Sequence, residues 1–329
     1  MSILVTGGAG FVGLNLVEAL LGRGETVVAF DAKPVPGAAV EDFAALPGRL
    51  HVLTGDVRDR SAIARAMAAH GVDRLIHAAA ITAGSEHDAG DPAGIAETNL
   101  LGTIHALEAA RERGVKRVVH VGTGAVYGDL GIVPGNRLDE VGDLPRPVGM
   151  YSITKYAAER TCLRLAALWG MDIVVGRLAM VFGRWEYESG ARDRMALPLQ
   201  SVRVALRGEE ARILRVEELR DWIYGPDVAA GLIALLDAPK LESRVFHVGT
   251  GLPWDISDWC ERLVATYPGF RYRFVTDPAA ANVLPLGSVG RSPFRVDRIR
   301  SEAGFAPRYP LDRAFEDYTT WLGSHPGFG

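Results

Sequence analysis

Short apolar runs recur along the first half of the chain, each followed by a stretch with helical spacing. Ile3 to Thr6, Thr26 to Phe30, Leu50 to Leu53, Arg74 to His77, Arg117 to Val121 and Ile173 to Val175 read as strands. Between them, residues 11–22, 59–70, 92–113 and 151–169 read as amphipathic helices. Strands alternating with helices predict an α/β fold, a doubly wound parallel sheet with helices on both faces. Such sheets bind ligands beyond the carboxyl ends of their strands, where the strand order reverses. After Gly176 the alternation fades, and helical spacing survives only at 227–236, 256–266 and 311–322. The expected division is a sheet domain over 1–176, rejoined by about 221–250, with 177–329 forming a smaller discontinuous lobe for the substrate.

Composition narrows the class without naming it. Of 329 residues, 48% are hydrophobic and 23% charged, which supports an ordinary globular core. A net charge of −4 gives no basic excess for nucleic acid or an anionic membrane. The longest apolar runs are far too short to span a bilayer. The chain opens directly on strand-like residues, so no secretory signal is expected. Cys162 and Cys260 are far apart in sequence, which argues against a disulfide framework and for two buried thiols in a reducing cytoplasm. His77 and His120 fall at strand ends with no second ligand at metal spacing, so they are expected to be packing or surface residues and no metal is expected.

The first strand runs into Gly7-Gly8-Ala9-Gly10-Phe11-Val12-Gly13, where a helix begins. Glycines there allow a tight turn, bring backbone N–H groups to a pyrophosphate and let strand and helix pack closely. The second strand ends in Asp31, eighteen residues after Gly13. A carboxylate at that place accepts both adenosine ribose hydroxyls and repels a 2′-phosphate, which favours NAD over NADP, with Lys33 as a mild objection. Asp56-Val57 follows the third strand and is expected at the adenine.

Tyr151 and Lys155, in Tyr-Ser-Ile-Thr-Lys, lie four apart on one helix face. A phenol of ordinary pKa ~10 is a poor base at neutral pH, and a nearby ammonium favours the phenolate. Tyr151 is then able to take the proton of a carbinol while hydride leaves for nicotinamide.

With these segments in place, the chain resembles the extended short-chain dehydrogenase/reductases, the family of NAD-dependent sugar epimerases and dehydratases. The resemblance rests on Thr6 to Gly13, Asp31, Asp56-Val57, His77-Ala78-Ala79-Ala80, Asn99 in ETNLLGT, Thr123 to Gly128, Tyr151 to Glu159, RLAMVFG at 177–183, LRDWIYGPDVA at 219–229 and IRSEAGFAP at 299–307. It implies Thr123 as the third catalytic residue, hydrogen-bonded to the reacting oxygen. It also implies Ala78, Ala79, Ala80 and Asn99 at the cofactor, with Thr82 and Arg220 on the substrate side. A homodimer is implied as well, through helices 92–113 and 151–169, whose outward faces are expected to carry Ala106, Ala109, Ala157 and Ala158.

Departures from the family narrow the chemistry. Members that dehydrate at C4–C6 carry an Asp-Glu pair after the Thr, and here Gly124 and Ala125 stand there. Nucleotide-sugar enzymes typically have an Asn within the segment matching 177–183, where this chain has Met180. Their Gly-Asp-Gly turn is replaced by Arg215-Val216-Glu217-Glu218-Leu219. Arg184, Arg192 and Arg194 offer further anion-binding capacity or a solvated face. The expected function is NAD-dependent hydride transfer at a carbohydrate-type secondary alcohol, foremost nucleotide-sugar epimerisation. The alternatives are a dehydrogenase of a free sugar, sugar acid or polyol, and a non-catalytic dinucleotide-binding protein.

Overall fold

The computed structural model describes residues 2–82, 84–128, 130–133, 135–215, 219–285 and 290–329. The Val216 to Glu218 stretch singled out above lies outside the described residues. The chain begins with β1 (Ser2–Thr6), α1 (Phe11–Gly22), β2 (Thr26–Asp31), α2 (Gly37–Ala44), β3 (Arg49–Thr54), α3 (Arg60–Ala69) and β4 (Val72–His77). Then come α4 (Ser85–Gly90), α5 (Pro92–Ala96), a π turn (Glu97–Leu101), α6 (Gly102–Glu112), β5 (Arg117–Thr123), a 3-10 turn (Gly124–Tyr127), α7 (Met150–Trp169) and β6 (Ile173–Leu178). The remainder holds β7 (Met180–Phe182), α8 (Leu197–Leu206), β8 (Glu210–Leu214), β9 (Trp222–Tyr224) and α9 (Gly225–Asp237). It continues through β10 (Val245–Val248), α10 (Ile256–Thr266), β11 (Arg271–Val275), α11 (Asp297–Ala303) and α12 (Leu311–Ser324).

Seven strands form a parallel sheet in the order β10-β6-β5-β4-β1-β2-β3. Every residue of β1 is buried, because helices cover both faces of the sheet. That is why the strand reads as a continuous apolar run rather than an alternation. On one face Leu4, Val28 and Leu75 pack with Leu107 and Cys162. On the other, Ile3, Val5 and Ile76 pack with Leu14, Leu232 and Leu235. The chain winds outward from β1 to β2 and β3, then returns to β4 on the opposite side of β1. The order therefore reverses between β1 and β4.

The edge strand β10 pairs with β6 and comes from far along the sequence. Between them the chain builds two small parallel pairs, β7 with β9 and β8 with β11. These pack around the rings of Phe182, Trp222, Trp254 and Trp259.

Two expectations need correction. The 92–113 stretch is not one helix, since a π turn separates α5 from α6. Ala106, Ala109 and Ala158 do not face outward; all three are fully buried within the chain. The large apolar side chains exposed on this pair of helices and the turn before them are Leu101, Ile153 and Leu168. Both cysteines are buried free thiols.

Candidate active site

A cleft of about 860 Å³ opens where the strand order reverses. The turn from β1 to α1 forms one wall. Gly7 sits at φ 68°, and a β-carbon there would lie 2.7 Å from the Ala79 nitrogen. At Gly13 a β-carbon would lie 1.9 Å from the Gly7 carbonyl oxygen. Helix α1 starts at Phe11, after Gly10 in the cap position, with no side-chain cap and no acidic residue in its first turn. Its first N–H groups thus remain available to an anion. Gly10, Phe11 and Val12 line the cleft there, opposite Ala78, Ala79 and Ala80. This cradle, which side chains at 7 or 13 would fill, fits the pyrophosphate of a dinucleotide.

Asp31 stands at the rim. Its Oδ2 accepts the Ala9 N–H and its Oδ1 the Lys33 N–H, each at 3.0 Å. That orients the carboxylate and leaves lone pairs for ribose hydroxyls. Lys33 is engaged elsewhere, its Nζ donating to the Ser189 carbonyl. Asp56 and Val57 also line the cleft. Asp56 is clasped by Arg58, whose Nε and Nη2 lie 2.9 and 2.6 Å from Oδ2. The guanidinium holds this carboxyl below the usual range. Helix α3 is capped by Asp59, whose side chain accepts the Ala62 N–H.

Asn99 departs from its expected place. It is fully buried in the π turn and is not among the residues lining the cleft. Its Oδ1 accepts the Ile81 N–H at 2.8 Å, and its Nδ2 donates to the Ile81 carbonyl and to Thr154 Oγ1 at 3.0 and 3.1 Å. These bonds peg Ile81 on the cleft wall to Thr154 of α7.

Thr123, Tyr151 and Lys155 line the same cleft. Thr123 ends β5, and its Oγ1 accepts the Ala125 N–H at 3.1 Å, so its own hydrogen is free to point at a ligand oxygen. Lys155 is 2% exposed, and burial brings its amine down to about 8. Its Nζ lies 3.3 Å from Nε2 of His120, a fully buried residue of β5. One turn further along α7, Glu159 grips Arg177 of β6 at 2.8 and 2.6 Å. Arg177 Nη1 donates to Tyr127 Oη at 2.6 Å, and His247 Nε2 lies 2.6 Å from that oxygen. Sequence reasoning missed this network, whose members are scattered singly along the chain.

Thr82 and Arg220, expected at the substrate, both line the cleft, as does Met180. The Thr82 N–H donates to the Ala191 carbonyl at 2.7 Å. Arg220 is 6% exposed and bridges the Trp254 backbone. Its neighbour Asp221 accepts from the backbones of Thr250, Gly251 and Phe294, so that carboxylate is structural. Arg184 is not an anion site, because it is held by Asp317 at 2.9 Å and faces Glu18. Arg192 lines the cleft while pairing with buried Glu186 at 2.7 Å. Arg194 donates to the Pro285 carbonyl.

Residues 183–194 form a strap across this cleft. Trp185 turns the chain at φ 65°, its ring buried against Phe43, Trp321 and Phe328. Tyr187 Oη then donates to the Ala9 carbonyl at 2.7 Å. Ser189 takes the Lys33 amine, Ala191 the Thr82 N–H, and Asp193 Oδ2 the Gly84 N–H at 2.6 Å. One segment is thereby tied to the ends of β1, β2 and β4. Among the described residues no cluster of three His, Cys, Asp or Glu side chains is arranged to hold a metal. Among them, too, no helix is long and apolar enough to cross a membrane.

Comparison with known proteins agrees with this geometry. Over its full length the chain is 28% identical to a dTDP-glucose 4,6-dehydratase of Mycolicibacterium smegmatis, covering 90% of that protein. Over 199 residues, 60% of this chain and 56% of the other, it is 35% identical to sterol demethylase protein B of Methylococcus capsulatus. The structure of a Thermus thermophilus UDP-glucose 4-epimerase complexed with NAD superposes with a TM-score of 0.79 at 26% identity, covering 97% of this chain and 98% of that one. The model of the NAD dependent epimerase/dehydratase family matches residues 3–249, spanning the glycine turn, the Tyr151–Lys155 pair and β10, and the chain belongs to that family of NAD-dependent enzymes.

Proposed function

We propose that this enzyme epimerises a nucleotide-sugar by withdrawing and returning hydride at a secondary alcohol. NAD, when bound, supplies the hydride acceptor and donor. The chain's residues do the rest. The Tyr151 oxygen exchanges the carbinol proton, and the Thr123 hydroxyl donates to the same substrate oxygen. The Lys155 ammonium favours the phenolate. Gly124 and Ala125 carry no group able to move a proton, which argues against the dehydration performed by some relatives. Asp31 favours NAD over NADP, and Arg220 is assigned to a substrate phosphate or carboxylate. Arg220→Ala should therefore raise KM while leaving NAD affinity unchanged.

The observation that carries the epimerase reading is the strap. A cofactor cleft spanned by a segment tied to three strand ends suits an enzyme that keeps NAD through a full redox cycle. The test is to denature purified protein, quantify released NAD, and follow product stereochemistry with UDP- and dTDP-sugars. Stoichiometric NAD with an inverted carbinol supports the reading, whereas empty protein that releases NADH overturns it. A second reading, net dehydrogenation of a less polar alcohol, is favoured by Leu178, Met180 and Phe294 on the cleft wall and by the sterol demethylase protein B relative. NADH absorbance with sterol alcohols would reveal it. We also assign a homodimer built on α6 and α7, with Leu101 and Leu168 in the interface, and a reducing cytoplasm for the two free thiols.

A further inference from the structure

Two histidines lie side by side on neighbouring strands behind the cleft, and they have opposite roles. The rings of His77 and His120 stack at 5.5 Å, and both are buried completely. Thr103 Oγ1 donates to the Asn99 carbonyl at 2.7 Å, so toward His77 Nε2, 3.1 Å away, it is an acceptor. Nε2 therefore carries the His77 proton, and Nδ1 accepts from Thr6 Oγ1 at 2.7 Å. His77 is a structural peg between β1, β4 and α6.

His120 is different. Its only hydrogen-bonding neighbour among the described residues is the Lys155 amine, 3.3 Å from Nε2, while Nδ1 is buried with no partner. An ammonium has only hydrogens to give, so His120 must present a bare Nε2 and keep its proton on Nδ1. The Nδ1 hydrogen is left buried and unpartnered, so the contact with the ammonium is the one polar interaction that offsets the burial of this ring among the described residues. Burial and the adjacent lysine push His120 well below its ordinary value, so it stays a neutral acceptor throughout the working range.

We propose that His120 is a positioning residue. It receives the Lys155 ammonium from the sheet side, fixes where Nζ sits, and keeps it charged in a site that otherwise favours the neutral amine. This rests on Tyr151 and Lys155 acting as the catalytic pair. The other ionisable groups around the amine are few. Tyr151, Glu159 and Cys162 share its helix, His77 stands behind His120 on β4, and Arg177 of β6 is held by Glu159. The Glu159 carboxylate favours the ammonium, but both its oxygens are gripped by Arg177. Burial raises the Cys162 thiol to about 12, which keeps it neutral. His120 is thus left as the neutral group that solvates the cation directly.

The chain has four lysines, Lys33, Lys116, Lys155 and Lys240, so 13C-labelled lysine side chains can be titrated individually by NMR, with Lys155→Met giving the assignment. The wild-type Lys155 signal should titrate near 8. In His120→Phe the midpoint should fall by about one pH unit, and the alkaline limb of turnover should fall with it. His120→Gln, whose amide oxygen reaches the Nε2 position, should restore both. His120→Asn, which reaches only the Nδ1 position, should not, and that contrast remains if the Phe variant fails to fold. An unchanged midpoint in both Phe and Asn variants, or a Gln variant as shifted as Asn, overturns the proposal. The NMR midpoint needs no substrate, so the outcome is separable from whether any sugar is turned over.

Discussion

A β-carbon on Gly13 would lie 1.9 Å from the carbonyl oxygen of Gly7. Backbone meets backbone there, so neither partner can swing aside as a flexible side chain would. Gly13→Ala should force the turn open at a strain of ~1–3 kcal/mol. Carried by the bound state, that strain lowers NAD affinity about 5–150-fold. Calorimetric titration of NAD checks this, and unchanged affinity would show that the turn is not the pyrophosphate site.

Tyr151→Phe removes the proposed proton-transfer oxygen and keeps the ring. Turnover should fall ~10²–10⁴-fold, the usual contribution of general acid–base catalysis. Affinity for NAD should stay close to wild type. Comparable activity in the variant would require withdrawing the catalytic assignment.

Lys155 offers a test on stability rather than rate. Its folded pKa of about 8 lies below the value of ~10.4 for a free lysine. A depressed lysine makes the folded state costly where the amine must be charged, below about 8. That cost disappears as pH climbs past the unfolded value. The Tm of wild type minus that of Lys155→Met should therefore rise between pH 7 and pH 10. A difference that stays flat over that range would mean the amine is not desolvated.

Asp31→Asn keeps an acceptor at the rim and removes the charge. The preference for NAD over NADP should shrink, because no carboxylate then repels a 2′-phosphate at this rim. Competitive binding of the two cofactors measures the ratio.

Tyr187→Phe cuts one tie of the strap. A hydrogen bond of this kind contributes ~0.5–1.5 kcal/mol, so NAD release should quicken about 2–10-fold. Stopped-flow displacement gives the rate, and no change would mean the strap does not hold the cofactor.

The parts of the site that could be read from the sequence are those built from local spacing. Gly7 to Gly13 announces itself because strand, turn and helix are contiguous, and Tyr151 and Lys155 because one helical turn separates them. Asp31 was visible as the end of a strand already located. Asn99 was placed at the cofactor when it pegs Ile81, since nothing in ETNLLGT betrays a π turn or the direction of its amide. The alanines of α6 were set outward because a helix with small residues on several faces does not declare which face meets the sheet. The partners of His120, Arg177 and His247 are not legible in the sequence for a different reason. Each is a single polar residue in an apolar strand, and only pairing across the sheet brings them to Lys155, Glu159 and Tyr127.

The reach of β10 bears on how the protein is made. His247 completes the buried group around Tyr127 and Arg177, and the Asp221 carboxylate is satisfied by backbone donors at Thr250, Gly251 and Phe294. A nascent chain that has emerged only to residue 240 holds the glycine turn, Thr123, Tyr151 and Lys155, yet lacks the edge strand that pairs with β6. Six strands can pair during synthesis, but the seventh arrives only after the intervening segments of the lobe have been translated. Helix α7, tied to His247 through Glu159, Arg177 and Tyr127, thus acquires its final setting late, and premature termination before β10 should leave the cleft without that support.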